Sequence, residues 1–139
     1  MQNCVFCKIV KGEIPCFKIF EDENVLAFLD INPVTKGHCL VIPKTHFENI
    51  FDISEDTLQK VTVATKHISV KIKNSLQADG IRISQSSGEE AGQVISHFHL
   101  HIIPRYKNDG LLNNHWSNAN PPKADFEELK KIALRLRSG

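Results

Sequence analysis

The sequence predicts a single α+β domain built on a mostly antiparallel sheet of five strands and two helices. Three observations predict it. Five short segments are continuously apolar or alternate between apolar and polar residues, the early ones are joined by hairpin-length links, and two longer segments have helical periodicity. The length of 139 residues fits one domain, which we take as residues 1–139.

The first part of the chain predicts a short helix or turn and three strands. Residues 4–10 form the helix or turn, which Gly12 and Pro15 end. The polar turn Glu21–Asn24 separates the first two strands, so we expect them to pair as a hairpin. Pro43 ends the third strand because proline lacks the N–H that a strand ladder needs. These strands are expected at 16–20, 25–29 and 38–42.

Two helices and two more strands complete the expected fold. The first helix starts near Asp52, which has capping-box spacing to Glu55, or at Ser54, and continues to Asp79-Gly80. Val63 and Val70 widen its apolar stripe, so this face is available to a partner. The remaining strands are expected at 81–85 and near 95–103, and a last helix follows Asp125.

Composition and charge exclude several classes of protein. Apolar residues make up 41% and charged residues 24% of the chain, as in ordinary globular proteins. The formal net charge is 17 − 16 = +1, which weighs against a nucleic-acid binder that relies on positive charge. No apolar run is long enough for a membrane span or a signal peptide. The expected location is the cytoplasm.

The four cysteines divide into a pair and two single residues. Cys16 and Cys39 stand among apolar residues and are interpreted as small core residues. Cys4 and Cys7 have the Cys-x-x-Cys spacing at which two thiolates bind one metal ion. A tetrahedral site needs two further ligands, so the pair alone is half of a site or simply two unrelated thiols.

Three histidines at alternate positions are the most informative feature. In a strand, His97, His99 and His101 would share one face, and Phe98 and Leu100 would point into the core. The outer two would lie roughly 13 Å apart, too far to bind one ion together. Two uses are therefore open: a neighbouring pair shares a metal, or an imidazole acts as nucleophile or acid–base group, for which His99 is best placed.

The loop before the histidines supports nucleophilic chemistry. Residues 86–93 combine two serines, two glycines and the amide of Gln93. Glycine lets backbone N–H groups approach an anion closely, so the loop fits a phosphate-binding segment.

These residues resemble the histidine triad family, in its branch of small bacterial proteins and nucleoside phosphoramidases. The triad stands at 97–103, and Gly92-Gln93 lies at the family's place upstream. Further matching blocks follow in the family's order at 26–33, 37–38 and 40–46. The match covers about residues 4–106, leaving a variable segment at 107–139. The resemblance implies a five-stranded antiparallel half-barrel with helices on one side, usually paired into a homodimer.

The resemblance also implies a reaction and its residues. The family binds nucleoside phosphates such as AMP or adenylates, and His99 would attack the α-phosphorus to give a nucleotidyl-histidine intermediate that water hydrolyses. His101 would assist at the phosphate oxygens or the leaving group. The nucleotide would otherwise be bound by Asp30 at the ribose, Ile31 at the base, and Ser86, Gly92 and Gln93 near the phosphate.

Members that carry an amino-terminal Cys-x-x-Cys also imply a structural zinc site. Its ligands here would be Cys4, Cys7, His46 and His97, a set of two sulfurs and two nitrogens. His97 would then serve the metal and His99 the chemistry. His38, His67 and His115 are expected to be solvated or packed.

Two departures from the family pattern keep alternatives open. Val94 stands where many members have Ser or Thr after the Gly-Gln pair, and Ser86 stands where many have Asn. Both positions adjoin the phosphate in the family. The alternatives to a phosphoramidase are a dinucleoside polyphosphate hydrolase and a nucleotide-binding signalling module with little turnover.

Overall fold

A computed structural model describes residues 3–111 and 125–137 of the chain. Within these ranges lie three α-helices and five strands. The helices are α1 (Val5–Val10), α2 (Glu55–Leu76) and α3 (Phe126–Arg137), and the strands are β1 (Lys18–Glu21), β2 (Val25–Leu29), β3 (Cys39–Pro43), β4 (Gly80–Ser84) and β5 (Leu100–Arg105). None of these helices has both the length and the apolar character that a bilayer crossing requires.

The five strands form one antiparallel open sheet in the order β1-β2-β3-β5-β4. The predicted α+β class is therefore confirmed. All five residues of β2 are apolar, and all five are buried because other elements cover the strand on both faces. Alternate residues pack either against α2 and α3 or against Phe6 of α1. A strand covered on both faces has no polar side to present.

The helices lie on both faces of the sheet, so the expectation of helices on one side alone is corrected. α2 and α3 cover one face, and α1 covers the other through Phe6, Ile9 and Val10. Ser54 is the N-cap of α2, because its hydroxyl accepts from the Thr57 N–H. Asp52 instead accepts from backbone N–H groups of the preceding turn, at Glu48 and Asn49.

The last strand begins later than predicted. β5 starts at Leu100, and the Phe98 N–H bonds to the Phe47 carbonyl at 2.7 Å instead of joining the ladder. The His97 ring lies at the end of β3, where its Nε2 is 2.9 Å from the Pro43 carbonyl. The segment 97–99 is therefore held by the chain before α2, which carries His46.

The remaining expectations concern the two single cysteines, the exposed valines of α2 and His115. Cys39 is fully buried as expected, whereas Cys16 is only half-buried and lines a cleft. Val63 and Val70 remain more than half exposed on α2. His115 lies outside the described residues.

Candidate active site and metal centre

Four predicted metal ligands meet at one point between α1 and the triad. The ligand atoms of Cys4, Cys7, His46 and His97 all lie within 4.8 Å of one another. Cys4 precedes α1 and Cys7 lies within it, His46 follows β3, and His97 precedes β5. Residues up to 93 positions apart are thus brought together.

The distances between these atoms fit a tetrahedral metal site. The Nδ1 of His97 lies 3.4 Å from Cys4 Sγ and 3.6 Å from Cys7 Sγ, and 3.2 Å from His46 Nδ1. Tetrahedral zinc with ordinary bond lengths would separate sulfur from nitrogen by about 3.6 Å, and two nitrogens by about 3.3 Å. The four side chains therefore have the composition and the spacing that a zinc ion needs.

The His97 ring is oriented for ligation. Its Nε2 lies against the Pro43 carbonyl, which only accepts, so Nε2 carries the proton and Nδ1 is free for a metal. Burial lowers the pKa of His97 to about 4, which keeps the ring neutral as a ligand must be.

His99 lies beside this cluster with a defined tautomer. Its Nδ1 is 2.7 Å from the backbone carbonyl of His97, so Nδ1 carries the proton and Nε2 keeps its lone pair. Burial lowers the pKa of His99, and this favours the neutral, nucleophilic ring. The arrangement has the geometry of a nitrogen nucleophile, in which one ring nitrogen is anchored by its proton and the other keeps its lone pair.

His101 belongs to a second hydrogen-bonded chain that the sequence analysis did not foresee. The Val34 N–H donates to His38 Nδ1 at 3.0 Å, so the proton of His38 is on Nε2. That nitrogen lies 3.0 Å from His101 Nδ1, which must accept, and the proton of His101 is therefore on Nε2. Burial lowers the pKa of both rings to about 4. The chain fixes His101 as a neutral donor next to His99, whose ring centre is 5.1 Å away.

His38 is thus packed, as expected, and it is also part of the site. The signal that could have found it is its position in the Gly37-His38 block that follows Asp30 by a short loop. Gly37 has a φ of +91°, and a Cβ there would come within 2.5 Å of the Leu76 side chain. His67, by contrast, is exposed on α2.

An apolar cleft of about 560 Å³ reaches the histidines through Phe6, which lines the cleft and whose ring centre is 5.3 Å from that of His99. Its volume is that of a pocket for a small-molecule ligand. Asp30 is its acidic group: Oδ1 accepts from the Asn32 N–H at 2.8 Å, and desolvation raises the pKa of this carboxyl. The cleft is lined mainly by apolar side chains, among them Phe6, Ile9, Phe28, Ile31 and Leu40. Ile31 is half exposed at its mouth.

The loop at 86–93, which is predicted to bind phosphate, is held by hydrogen bonds within itself and by one to the Glu48 carbonyl. The Gln93 amide accepts from the Gly88 N–H and donates to the carbonyls of Glu48 and Ile95. The Gly92 N–H donates to the Glu89 carbonyl. Ser86 lies two residues beyond β4. Phosphate binding by these groups stays a prediction, and it would require the side chain of Gln93 to exchange a partner.

Gln93→Ala is expected to lower the free energy of unfolding by about 1–2 kcal/mol, because three backbone groups lose their partner and are only partly able to bond to water. Urea unfolding measures this. Gln59→Ala, which removes an exposed amide on α2, is the control and should change stability little. Unchanged stability together with a raised KM in Gln93→Ala would show instead that the amide contacts substrate.

A family model described as HIT domain matches residues 11–108. A curated relative, Protein hit of Bacillus subtilis, is 49% identical over 142 residues, covering 99% of this chain and 97% of that protein. An adenosine 5'-monophosphoramidase of Candida albicans is 36% identical over 140 residues, covering 97% of this chain and 90% of that protein.

A solved structure agrees with the fold. It is a zinc-bound histidine triad family protein of Mycobacterium smegmatis, with a TM-score of 0.83 and 37% identity, and the match covers 99% of this chain and 92% of that one. The chain belongs to the HIT domain family. The resemblance to the histidine triad family is thereby confirmed.

Proposed function

We propose that the chain hydrolyses nucleoside phosphoramidates and related adenylates at the α-phosphorus. It is an enzyme of the histidine triad type. The observation that carries the proposal is the pair of imidazoles with opposite tautomers: His99 offers the lone pair of its Nε2, and His101 offers an Nε2–H. The adjoining cleft has the size and apolar lining for a nucleoside.

The reaction proceeds in two displacements. His99 Nε2 forms a bond to the α-phosphorus while the bond from phosphorus to the leaving nitrogen breaks. The leaving nitrogen takes a proton from solvent water and departs with the electron pair as a neutral amine, while the His101 Nε2–H stays on its ring and donates a hydrogen bond to the leaving nitrogen or a phosphate oxygen. Water then attacks phosphorus and returns a proton to the solvent, and the nucleoside monophosphate is released as the electron pair of the phosphorus–nitrogen bond goes back to His99 Nε2. Positioning and charge stabilisation supply most of the acceleration in phosphoryl chemistry of this kind.

The nucleoside part of the substrate binds in the cleft. Asp30 accepts from the ribose hydroxyls, and Ile31 covers the base at the mouth of the cleft, opposite the apolar wall. Ser86, Gly92 and Gln93 adjoin the phosphate through the loop before β5. Val94, which is 91% exposed, brings no hydroxyl to this loop.

Zinc is the metal that the cluster of Cys4, Cys7, His46 and His97 suits. Two thiolates and two imidazoles would fill all four positions of a tetrahedral ion, which is the composition of a structural site. The bound ion supplies a cross-link between the amino-terminal helix and the catalytic segment.

A substrate comparison tests the function. An adenosine phosphoramidate, adenylyl sulfate and a dinucleoside polyphosphate are each incubated with the protein, and AMP release is followed by chromatography. We expect the phosphoramidate to have the highest kcat/KM. A preference for the dinucleoside polyphosphate would replace the proposal by the first alternative. Tight AMP binding without turnover of any of the three would identify a nucleotide-binding module.

A homodimer is also proposed. The exposed Val63 and Val70 lie on one side of α2, where an apolar surface suits a second copy of the chain. Light scattering at micromolar concentration should give twice the monomer mass of 15.7 kDa. A monomer mass would contradict this.

As the pH falls, kcat/KM is expected to decline at a lower pH than an ordinary histidine would give. Burial lowers the pKa of the nucleophile His99, and it lowers the pKa of His38 and His101 to about 4, so the three rings stay neutral to a lower pH than a free imidazole would. An ordinary histidine with a pKa near 6.5 would lose roughly tenfold in kcat/KM by pH 5.5, and we expect a smaller loss. A tenfold loss at that pH, at unchanged zinc content, would contradict the lowered pKa of these histidines.

A further inference from the structure

In the sequence, Phe6 lies between Cys4 and Cys7, the two thiol ligands of the proposed metal cluster. It lies in α1, which begins directly after Cys4 and contains Cys7. The helix has six residues, and an isolated helix of that length is not stable in water. Its position therefore depends on tertiary packing and on whatever holds Cys4 and Cys7.

The Phe6 ring contacts three functional regions at once. Its centre is 5.3 Å from that of His99 at an interplanar angle of 90°, and 5.8 Å from that of the metal ligand His97. It is 5.5 Å from Phe28, and the two rings both line the cleft. Phe6 is 4% exposed, so these contacts fix the ring from several sides. Edge-to-face contacts of this kind constrain the orientation of both rings.

We propose that Phe6 is a positioning residue that couples the metal site to the nucleotide site. The metal holds Phe6 against His99 and completes the wall of the cleft, so zinc and nucleotide bind cooperatively. The inference rests on the proposed function, because it assumes that the cleft binds a nucleotide.

The physical reason is the cost of ordering α1. When zinc joins the thiolates to His46 and His97, the ring of Phe6 is in place before the nucleotide arrives. Without zinc, nucleotide binding must also order the short helix, and affinity falls. Coupling between two sites is reciprocal, so the nucleotide must raise zinc affinity by the same factor, for which we expect about tenfold.

Calorimetric titration with AMP, the reaction product, tests the coupling. Zinc-loaded wild type is compared with protein from which a chelator has removed the zinc. In wild type we expect AMP affinity to fall about tenfold on zinc removal. In Phe6→Leu, which keeps all four ligands and its full zinc content, the ratio should shrink to within about twofold.

Ile9→Ala is the matched control, since Ile9 lies on the same helix and lines the same cleft. It should weaken AMP binding but keep the full ratio between zinc-loaded and zinc-free protein. A merely structural role of Phe6 would lower AMP affinity equally in both forms and leave the ratio unchanged, which would overturn the inference.

A second experiment measures the effect of AMP on zinc affinity, and it does not require the zinc-free protein to be folded. Competition with a chromophoric chelator gives the zinc affinity of wild type with and without saturating AMP. We expect AMP to tighten zinc binding about tenfold in wild type and little in Phe6→Leu. AMP that binds without changing zinc affinity would overturn the coupling alone. Failure of AMP to bind zinc-loaded wild type would overturn the proposed function and the coupling with it.

Discussion

His99→Ala is expected to lower kcat for an adenosine phosphoramidate by at least about 10³-fold, in line with the loss of catalytic nucleophiles in other enzymes. In the proposed reaction the Nε2 of His99 is the atom that bonds to phosphorus, and alanine offers no substitute. That loss corresponds to about 4 kcal/mol of transition-state stabilisation. Steady-state AMP release measures it, and mass spectrometry of rapidly quenched wild type should show one nucleotidyl group on the peptide that contains His99.

Two observations control this experiment. His67→Ala removes an exposed imidazole on α2 and should leave kcat unchanged. His99→Ala should still bind AMP, because the cleft beside Asp30 is retained. If His99→Ala releases AMP as fast as wild type, the assignment of the nucleophile fails.

Removal of zinc is expected to have the second large effect. Cys7→Ser should bind far less than one equivalent of zinc per chain and should melt well below wild type. Structural zinc sites contribute about 10–16 kcal/mol of apparent binding free energy in small zinc-finger peptides. Only part of that will appear as stability here, because the sheet has its own core. Metal analysis after purification without added zinc, and thermal unfolding with and without chelator, measure both effects.

Cys16→Ser is the matched control, since Cys16 lies outside the cluster and is only half-buried. It should retain one zinc per chain. Wild type that contains no zinc, and that a chelator does not destabilise, would remove the metal assignment and leave the catalytic proposal standing.

Much of the fold is predictable because local patterns and tertiary packing agree. The hairpin turn at Glu21–Asn24 and the cap at Ser54 are local, and their residues suffice to place β1, β2 and the start of α2. The position of α1 is different. Nothing in its six residues indicates which face of the sheet it covers, since that depends on packing partners in β2 and β3 that are distant in the sequence.

The candidate site shows the same division. The alternation of His97, His99 and His101 is local and points to chemistry, yet the strand itself begins only at Leu100. Segment 97–99 pairs with residues near 43–47, a contact across about fifty positions that no periodicity records. The role of His38 depends equally on a distant contact, because its partner His101 lies 63 positions away. The tautomers of these histidines depend on their hydrogen-bond partners, which are known only once the chain is folded.

Gly37 gives this site a vulnerability that its ligands do not reveal. Any side chain at this position would have to displace Leu76 or Pro104 from the interior, and the left-handed backbone would resist the change as well. His38, the next residue, would move with it and break its hydrogen bond to His101, on which the proposed reaction depends. Selection for activity in a random library should therefore tolerate replacement of this glycine as poorly as replacement of the triad, although the residue touches neither metal nor nucleotide.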